Sequence, residues 1–232
     1  MNTDACIGRI REHLRKAGLD QNTLLMVSSD HGPGHYSGPE RKAIANQMKV
    51  MEKKGHFSRG PWRGYKFSGY EGGLRVPFAA LWPGVIRPGT ENDALVGLVD
   101  LMATWAGVAG VKLDPSHAPD SLSFLPYLEN KEPLVRNHLL ARGTRADVYY
   151  EGNWKLILGP GSGSSGPFFT EPKSEDAWKE ALVEFGRKPK NHKELENHLF
   201  VQLYDLKADP GETKNLAKTH FGQVQKMIRA YA

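Results

Sequence analysis

Two short polar segments of the chain carry residue types that could bind a cation and an anion. In the first, Asp30, His31 and Gly32 follow directly on an apolar run at residues 23–28. At the carboxyl end of a strand in an open α/β sheet, such side chains stand where ligands bind. A carboxylate ligates hard cations, and an imidazole can ligate a cation or hydrogen-bond a substrate oxygen. Asp and Gly also end strands as turn residues, so this segment alone leaves a ligand site and a plain turn equally open.

The second segment, residues 66–77, reads KFSGYEGGLRVP. A lysine placed by a glycine-rich turn just before a buried strand can present a compact positive charge to an anionic group. Taken alone, an exposed loop position is the simpler interpretation of Lys66. Basic residues outnumber acidic ones between residues 41 and 66, and this stretch could draw in anions.

The composition excludes several classes of protein. The chain has 232 residues, a net charge of +5 and one cysteine, Cys6. It holds no apolar run long enough to span a membrane, and one cysteine excludes both an internal disulfide and a cysteine-based structural zinc site. No helix-turn-helix, zinc-finger or RNP-type pattern is present, so we predict no nucleic-acid partner. The first residues also lack the features of a signal peptide.

The elements that must position the two segments are a helix and two strands. Apolar residues recur at helical spacing before Gly18 and predict a first helix: Ile7, Ile10, Leu14 and Ala17. The nearly continuous apolar runs at residues 23–28 and 75–83 predict strands covered on both faces. An apolar helix is predicted at residues 94–109. A helix that feeds a buried strand indicates an α/β domain.

The composition changes near residue 133, where we place a boundary between residues 1–132 and residues 133–232. After it, short strands are predicted at residues 139–142, 148–150, 154–158 and 203–206, followed by a helix at residues 221–231. A Gly/Ser run at residues 159–166 is flexible by composition. The second part is therefore expected to be a small α+β domain with antiparallel strands.

Together the two segments resemble the sulfatase family of the alkaline-phosphatase-like superfamily. Sulfatases carry Ser-Asp-(Asn or His)-Gly at an acidic strand end, then a variable loop, then a lysine four residues before an aromatic residue and Glu-Gly-Gly-x-Arg-Val-Pro. Residues 29–32, SDHG, and residues 66–77 match in order and in spacing. Residues 4–22, 98–101 and 203–216 are similar to further parts of the family, so the resemblance covers most of the chain.

The resemblance implies a partial alkaline-phosphatase-like sheet and a role for each candidate residue. Asp30 and His31 correspond to two ligands of one Ca²⁺, although Ca²⁺ prefers oxygen and the family also uses Asn in place of His. Lys66 corresponds to the residue that binds a sulfate oxygen and steadies charge on the leaving group. His35 could line the substrate pocket or be a solvated loop residue. Glu71 is interpreted as structural, shaping the turn.

The nucleophile of the family is missing from these residues. Sulfatases make a formylglycine from Cys or Ser in a Cys-x-Pro-x-Arg-type motif and use a first pair of metal-binding Asp residues, and neither feature is present here. Cys6 cannot supply the motif, because Gly8 and Ile10 stand where Pro and Arg are required. The resemblance implies that the intact enzyme acts on a sulfated small molecule or glycan in a periplasmic, secreted or lysosomal location.

Two other interpretations stay open. A phosphatase, phosphodiesterase or phosphonate hydrolase of the same superfamily would share Asp30 and His31, but the motif at residues 66–77 argues against it. A truncated chain that binds metal or anions without catalysis would carry both motifs. A truncated sheet would also leave an exposed edge and an uncovered apolar face, through which the chain could self-associate.

We expect the isolated chain to have little or no sulfatase activity, because it carries the countercharge for a sulfuryl group and no attacking group. The measurement is an assay of the purified chain at high concentration with a chromogenic aryl sulfate and Ca²⁺. Metal-dependent turnover by this chain alone would contradict the prediction.

Overall fold

A computed structural model describes residues 2–34, 47, 50–114, 116–131, 136–143, 146–159 and 201–231. His35 and residues 160–166 of the Gly/Ser run lie outside these ranges. By internal packing the chain divides into two compact units, Met1–Ser29 with Pro77–Arg136 and Asp30–Val76 with Asn137–Ala232. No helix of the described ranges is long and apolar enough to cross a membrane.

The described helices and strands are mixed in the first part of the chain, and four strands followed by a helix make up the second part. The helices are α1 (Asn2–Lys16), α2 (Glu71–Leu74), α3 (Leu101–Val108), α4 (Leu125–Leu128) and α5 (Phe221–Tyr231). The strands are β1 (Leu25–Ser28), β2 (Phe78–Leu81), β3 (His138–Arg142), β4 (Asp147–Glu151), β5 (Trp154–Leu158) and β6 (Val201–Asp205).

The first unit contains α1 and a two-stranded sheet in which β1 pairs antiparallel with β2. α1 ends before Gly18, whose φ of 69° suits a residue without a side chain. The first helix and both strands are therefore confirmed where the apolar patterns predict them. Each strand is shorter than its apolar run.

The burial of these strands is lower than predicted. β1 is mostly half-buried, and Phe78 and Leu81 of β2 are each 40% exposed. Within the described ranges, each of these strands has the other as its one sheet neighbour, so neither gains cover from a second strand. The apolar pattern thus predicts the type of element correctly and overstates its burial in this chain.

The predicted helix at residues 94–109 begins later than expected. A 3₁₀ turn at Leu98–Asp100 leads into α3. The buried carboxylate of Asp100 accepts the backbone N–H of Gly97 at 2.8 Å and of Leu122 at 2.9 Å, and it also pairs with the buried Arg136. The bond from Gly97 satisfies a backbone donor at the start of the 3₁₀ turn that leads into α3, whereas the bond from Leu122 ties the same carboxylate to a distant segment.

The second unit is built on an antiparallel sheet with the strand order β3-β4-β5-β6. The β4–β5 hairpin turns at Gly152, whose φ is 57°. Val224 and Met227 of α5 are buried and pack with Leu156 and Leu203 of the sheet. The predicted antiparallel α+β architecture is confirmed here.

The two compact units do not correspond to the predicted division into residues 1–132 and 133–232, because each unit contains two separate stretches of the chain. The described residues between 30 and 76, which carry both candidate segments, belong to the same compact unit as the C-terminal sheet. Residues 132–135 lie outside the described ranges, so the boundary at 133 stays a prediction. The segment that a linear reading assigns to the first domain is thus part of the second packing unit.

Replacement of Leu203 by alanine is expected to destabilise the second unit by about 2–5 kcal/mol, because it removes a fully buried side chain from the core beneath α5. Leu140→Ala is the matched control, since Leu140 lies in the same sheet and is 57% exposed. Urea unfolding followed by circular dichroism measures both variants. Equal losses in the two variants would contradict the assignment of this core.

Candidate active site

The two candidate segments contact each other through their backbones. The N–H of Gly32 donates to the Gly73 carbonyl at 2.9 Å, and the N–H of Lys66 donates to the Pro33 carbonyl at 3.0 Å. These bonds join the end of the Asp30 segment to Lys66 and to Gly73, which both belong to the glycine-rich segment at residues 63–73, called the lysine turn from here on. Residues that lie more than thirty positions apart are thereby held in one small region of the second unit.

Glycine is required at this contact for steric reasons. A Cβ atom added to Gly32 would overlap the carbonyl oxygen of Gly72. A Cβ on Gly72 would collide with the carbonyl oxygens of Arg63 and Gly64, and the Gly72 N–H donates to the Arg63 carbonyl at 2.6 Å. The glycines of both motifs thus permit backbone-to-backbone packing that no other residue type allows.

Asp30 and His31 form a close pair of possible metal ligands. Nδ1 of His31 lies 2.7 Å from the Gly32 carbonyl oxygen, and Nε2 lies 3.0 Å from Oδ2 of Asp30. Since a carbonyl oxygen only accepts, Nδ1 carries a proton. A metal-binding histidine usually has its second ring nitrogen held in this way. The Asp30 side chain is 81% exposed, so its carboxylate is open to solvent.

This pair fits part of a cation site. One carboxylate oxygen of Asp30 and the Nε2 nitrogen of His31 lie 3.0 Å apart, and these are two atoms of the kinds that ligate cations. Among the described residues there is no group of three or more His, Cys, Asp or Glu side chains that could hold a metal ion. Asp30 and His31 would therefore need further ligands from elsewhere. His35, the other predicted pocket residue, lies outside the described ranges.

Lys66 lies within the lysine turn and is half-buried. Its Nζ lies 5.1 Å from the centre of the Phe67 ring. Phe67 has a φ of 75°, a left-handed conformation that a bulky residue seldom adopts. Strain of this kind persists where the surroundings determine the backbone and often lies at functional sites. The conformation of the turn, and with it the direction of Lys66, is therefore imposed by tertiary contacts.

A buried charge cluster lies directly behind this turn. Nζ of Lys155, on β5, is 2.8 Å from Oε1 of Glu71 and 2.7 Å from Oε1 of Glu212. The hydroxyl of Tyr150 donates to the same Glu71 oxygen at 2.8 Å. Oε2 of Glu212 accepts the backbone N–H of Glu71 at 2.7 Å. Glu71, predicted to shape the turn, is thus fixed from three directions.

The two carboxylates respond differently to this environment. Burial acts to raise the pKa of Glu71, but the charge and hydrogen bond of Lys155 and the Tyr150 hydroxyl outweigh it and leave that pKa below its usual value. Burial dominates at Glu212 and raises its pKa despite Lys155. Burial, followed by the Glu71 charge, raises the pKa of Tyr150 well above its usual value, so its hydroxyl stays a donor. The Lys155 charge thus favours ionised Glu71.

A second anchor holds the other end of the turn. Nη1 of Arg63 donates to the Glu212 carbonyl oxygen at 2.7 Å and to the Tyr204 hydroxyl at 3.2 Å. The guanidinium lies 4.0 Å from the centre of the Tyr70 ring. The hydroxyls of Tyr70 and Tyr204 both donate to Oε1 of Gln202 at 2.8 Å. Arg63 thereby ties the start of the turn to β6.

Sequence reasoning missed the residues of these anchors. Lys155 lies inside the apolar run WKLIL at residues 154–158. A lysine between apolar residues of a predicted strand indicates a buried, paired charge, and Lys155 could have been identified in this way. Glu212 has a φ of 52° in the DPGE turn, a position where its side chain is fully buried. Nothing in the sequence pairs either residue with Glu71, because the partners lie 84 and 141 positions away.

Comparison with known proteins agrees with the motifs. The sulfatase family model matches residues 1–111. The N-acetylgalactosamine-6-O-sulfatase of Bacteroides thetaiotaomicron is 32% identical over 221 residues, which cover 95% of this chain and 38% of that protein. Human arylsulfatase A is 28% identical over 232 residues, which cover 99% of this chain and 40% of that protein.

The fold is shared with a solved structure designated BT33336S-sulf, from a study of glycosaminoglycan metabolism by Bacteroides thetaiotaomicron. It superposes with a TM-score of 0.72 at 29% identity, over 99% of this chain and 42% of that chain. Fold and motifs together define part of a domain of the alkaline-phosphatase-like class. The chain belongs to the sulfatase family, whose members are metal-dependent enzymes. It spans about two fifths of the length of the curated relatives it matches.

Replacement of Gly32 by alanine is expected to lower the stability of the second unit by about 1–3 kcal/mol, because the new methyl group meets the Gly72 backbone. Gly222→Ala is the control in the same unit, since a Cβ there meets no atom within 4 Å. In α5 this control should be neutral or stabilising by up to about 1 kcal/mol. Urea unfolding measures both, and a Gly32→Ala variant as stable as the control would contradict the predicted contact.

Proposed function

We propose that the protein to which this chain belongs hydrolyses sulfate esters, and that this chain supplies the countercharge side of the active site. The observation that carries the proposal is the backbone contact between the two motifs, in which the Lys66 N–H bonds to the Pro33 carbonyl. It brings the segment of a possible cation site and the segment of a possible anion-binding lysine into one packed region. Preorganised charges of this kind stabilise charge that develops in a transition state.

Each candidate residue has a distinct part in the proposal. Asp30 and His31 would hold part of a Ca²⁺ site, with the carboxylate oxygen as the stronger ligand for a hard cation. The cation, when bound, acts as a Lewis acid toward the sulfuryl oxygens. Lys66 would bind one sulfate oxygen and offset negative charge on the leaving oxygen. His35 is retained as a pocket-lining candidate.

The attacking group is expected from outside these 232 residues. By family resemblance it is a formylglycine formed from a Cys- or Ser-x-Pro-x-Arg motif, whose hydrate attacks sulfur while the ester oxygen leaves. Together with further metal ligands it would complete the site that Asp30, His31 and Lys66 begin. We propose sulfated glycans as the substrate class, because two relatives are named as a sulfatase of N-acetylgalactosamine and an ulvan-active sulfatase. The proposed periplasmic, secreted or lysosomal location rests on the family resemblance alone.

The first test of the proposal is the coding sequence adjacent to this chain. We expect a Cys- or Ser-x-Pro-x-Arg motif in frame or in a neighbouring reading frame, and sulfatase activity when the two parts are produced together. Hydrolysis of aryl phosphates in preference to aryl sulfates would favour the phosphatase alternative. Absence of any such motif would favour a non-catalytic chain that binds metal or anions.

In the complete protein, Lys66→Ala is expected to lower kcat/KM for an aryl sulfate by about 10²–10³, because it removes one preorganised donor to developing charge. Lys54→Ala is the matched control, since Lys54 is an exposed lysine of the same unit. Steady-state kinetics with an aryl sulfate measures both variants. Similar kinetics for the Lys66 variant and the control would contradict the assigned role of Lys66.

A further inference from the structure

The lysine turn is anchored on both sides of Lys66 by the C-terminal sheet and the turn that follows it. Three positions before Lys66, Arg63 bonds to the Glu212 carbonyl and to Tyr204 of β6. Five positions after it, Glu71 receives Lys155 and Tyr150 from the sheet and gives its backbone N–H to Oε2 of Glu212. Glu212 is the one residue among these that contacts both anchors, through its main chain and through its side chain.

We propose that Glu212 is a positioning residue for Lys66, acting through the backbone N–H of Glu71. This inference rests on the proposed function of Lys66 as a sulfate-binding residue. Glu212 itself is fully buried, and its bonds reach the turn at Arg63 and Glu71, so it acts through the backbone rather than on the ligand. The C-terminal sheet is then part of the active-site machinery.

The chemistry of the cluster favours a positioning role over a purely stabilising one. Lys155 and Glu212 are both completely buried, and burial of charge is costly unless it is paired. Well-packed apolar residues could fill this volume without that cost. A charged cluster instead supplies directional hydrogen bonds. Each bond to Glu71 restricts the position of this residue, and so the path of the backbone that follows Lys66 and Phe67. Directional bonds are what the strained Phe67 backbone requires in order to persist.

Two substitutions at Glu212 separate the hydrogen bond from the charge. Glu212→Gln and Glu212→Met both remove the negative charge and leave Lys155 paired with Glu71. Glutamine keeps an oxygen that can accept the Glu71 N–H, whereas methionine has a similar length and no comparable acceptor. Since both variants lack the charge, a difference between them reports on the polar side-chain amide, whose oxygen can accept the Glu71 N–H, and not on the charge.

The measurement uses the 232-residue chain and inorganic sulfate as the probe. Sulfate is titrated at constant ionic strength against chloride, and its binding is followed by the NMR signal of the Lys66 side chain, assigned with Lys66→Arg. Amide hydrogen exchange is recorded at Glu71 and Gly72 and, for reference, at Leu156 and Leu203. The reference amides report the stability of the sheet.

We expect Glu212→Met to weaken sulfate binding at Lys66 by about tenfold, because the loss of one charge-assisted hydrogen bond changes an equilibrium constant by about that factor. The same variant should speed amide exchange at Glu71 and Gly72 more than at the reference amides. Glu212→Gln should restore both properties to within about twofold of the parent chain. Leu203→Ala, which weakens the core without touching the turn, should leave the sulfate affinity of the folded chain unchanged.

The outcomes distinguish this inference from the proposed function. If the parent chain gives no sulfate response at Lys66 but Glu212→Met still loosens the turn selectively, the sulfate-binding role fails and the anchoring of the turn stands. If Glu212→Met changes neither sulfate affinity nor exchange, or loosens all amides equally, Glu212 is not a positioning residue. Should Glu212→Met fail to fold, Glu212→Asn carries the same test, because asparagine tolerates the φ of 52° at this position and its shorter side chain withdraws the acceptor from the Glu71 N–H. An unchanged sulfate affinity in that variant would then overturn the inference.

Discussion

The structure of the second unit depends on one ammonium group, that of Lys155, placed between two buried carboxylates. Removing three ionised groups from water is costly, and the cost is offset only if each group has close partners. Lys155 lies within 2.8 Å of both Glu71 and Glu212, and Tyr150 and a backbone N–H supply the remaining bonds. Because these partners come from β4, β5, α2 and the DPGE turn, the charges can be satisfied only when all four elements are assembled.

The second constraint is steric and acts on the backbone of Gly72 and Gly73 in the same turn. Gly32 meets Gly72 and Gly73 backbone to backbone, at a separation that leaves no space for a Cβ atom. This contact acts on Gly72 and Gly73 and the buried cluster acts on Glu71, so three consecutive residues of α2 are held by tertiary contacts. A lysine carried on a turn held in this way is preorganised, which is the condition for strong electrostatic stabilisation of charge.

The first unit shows a different balance. Its internal anchor is Asp100, which pairs with Arg136 and accepts the backbone N–H of Gly97. Yet Met102 and Trp105 of α3 are about half exposed, as are the outer residues of β2. Large apolar side chains left this exposed are typical of surfaces that another part of a protein covers. The two relatives compared above are more than twice as long as this chain. In a sulfatase domain of that length, further elements could pack on the exposed side chains of α3 and β2.

The sequence by itself determined the family, the order of the elements and the two motifs with Asp30, His31 and Lys66. These features are local: apolar periodicity, turn residues and short spacings are written in consecutive residues. The tertiary structure alone decided that the lysine turn packs with the C-terminal sheet, that Lys155 is a buried partner of Glu71, and that Glu212 joins both anchors. Such contacts join residues up to 149 positions apart, and no local pattern encodes which buried charge meets which. Their pairing is fixed by the free-energy cost of leaving a buried charge without a partner, and that cost arises only once the chain has folded.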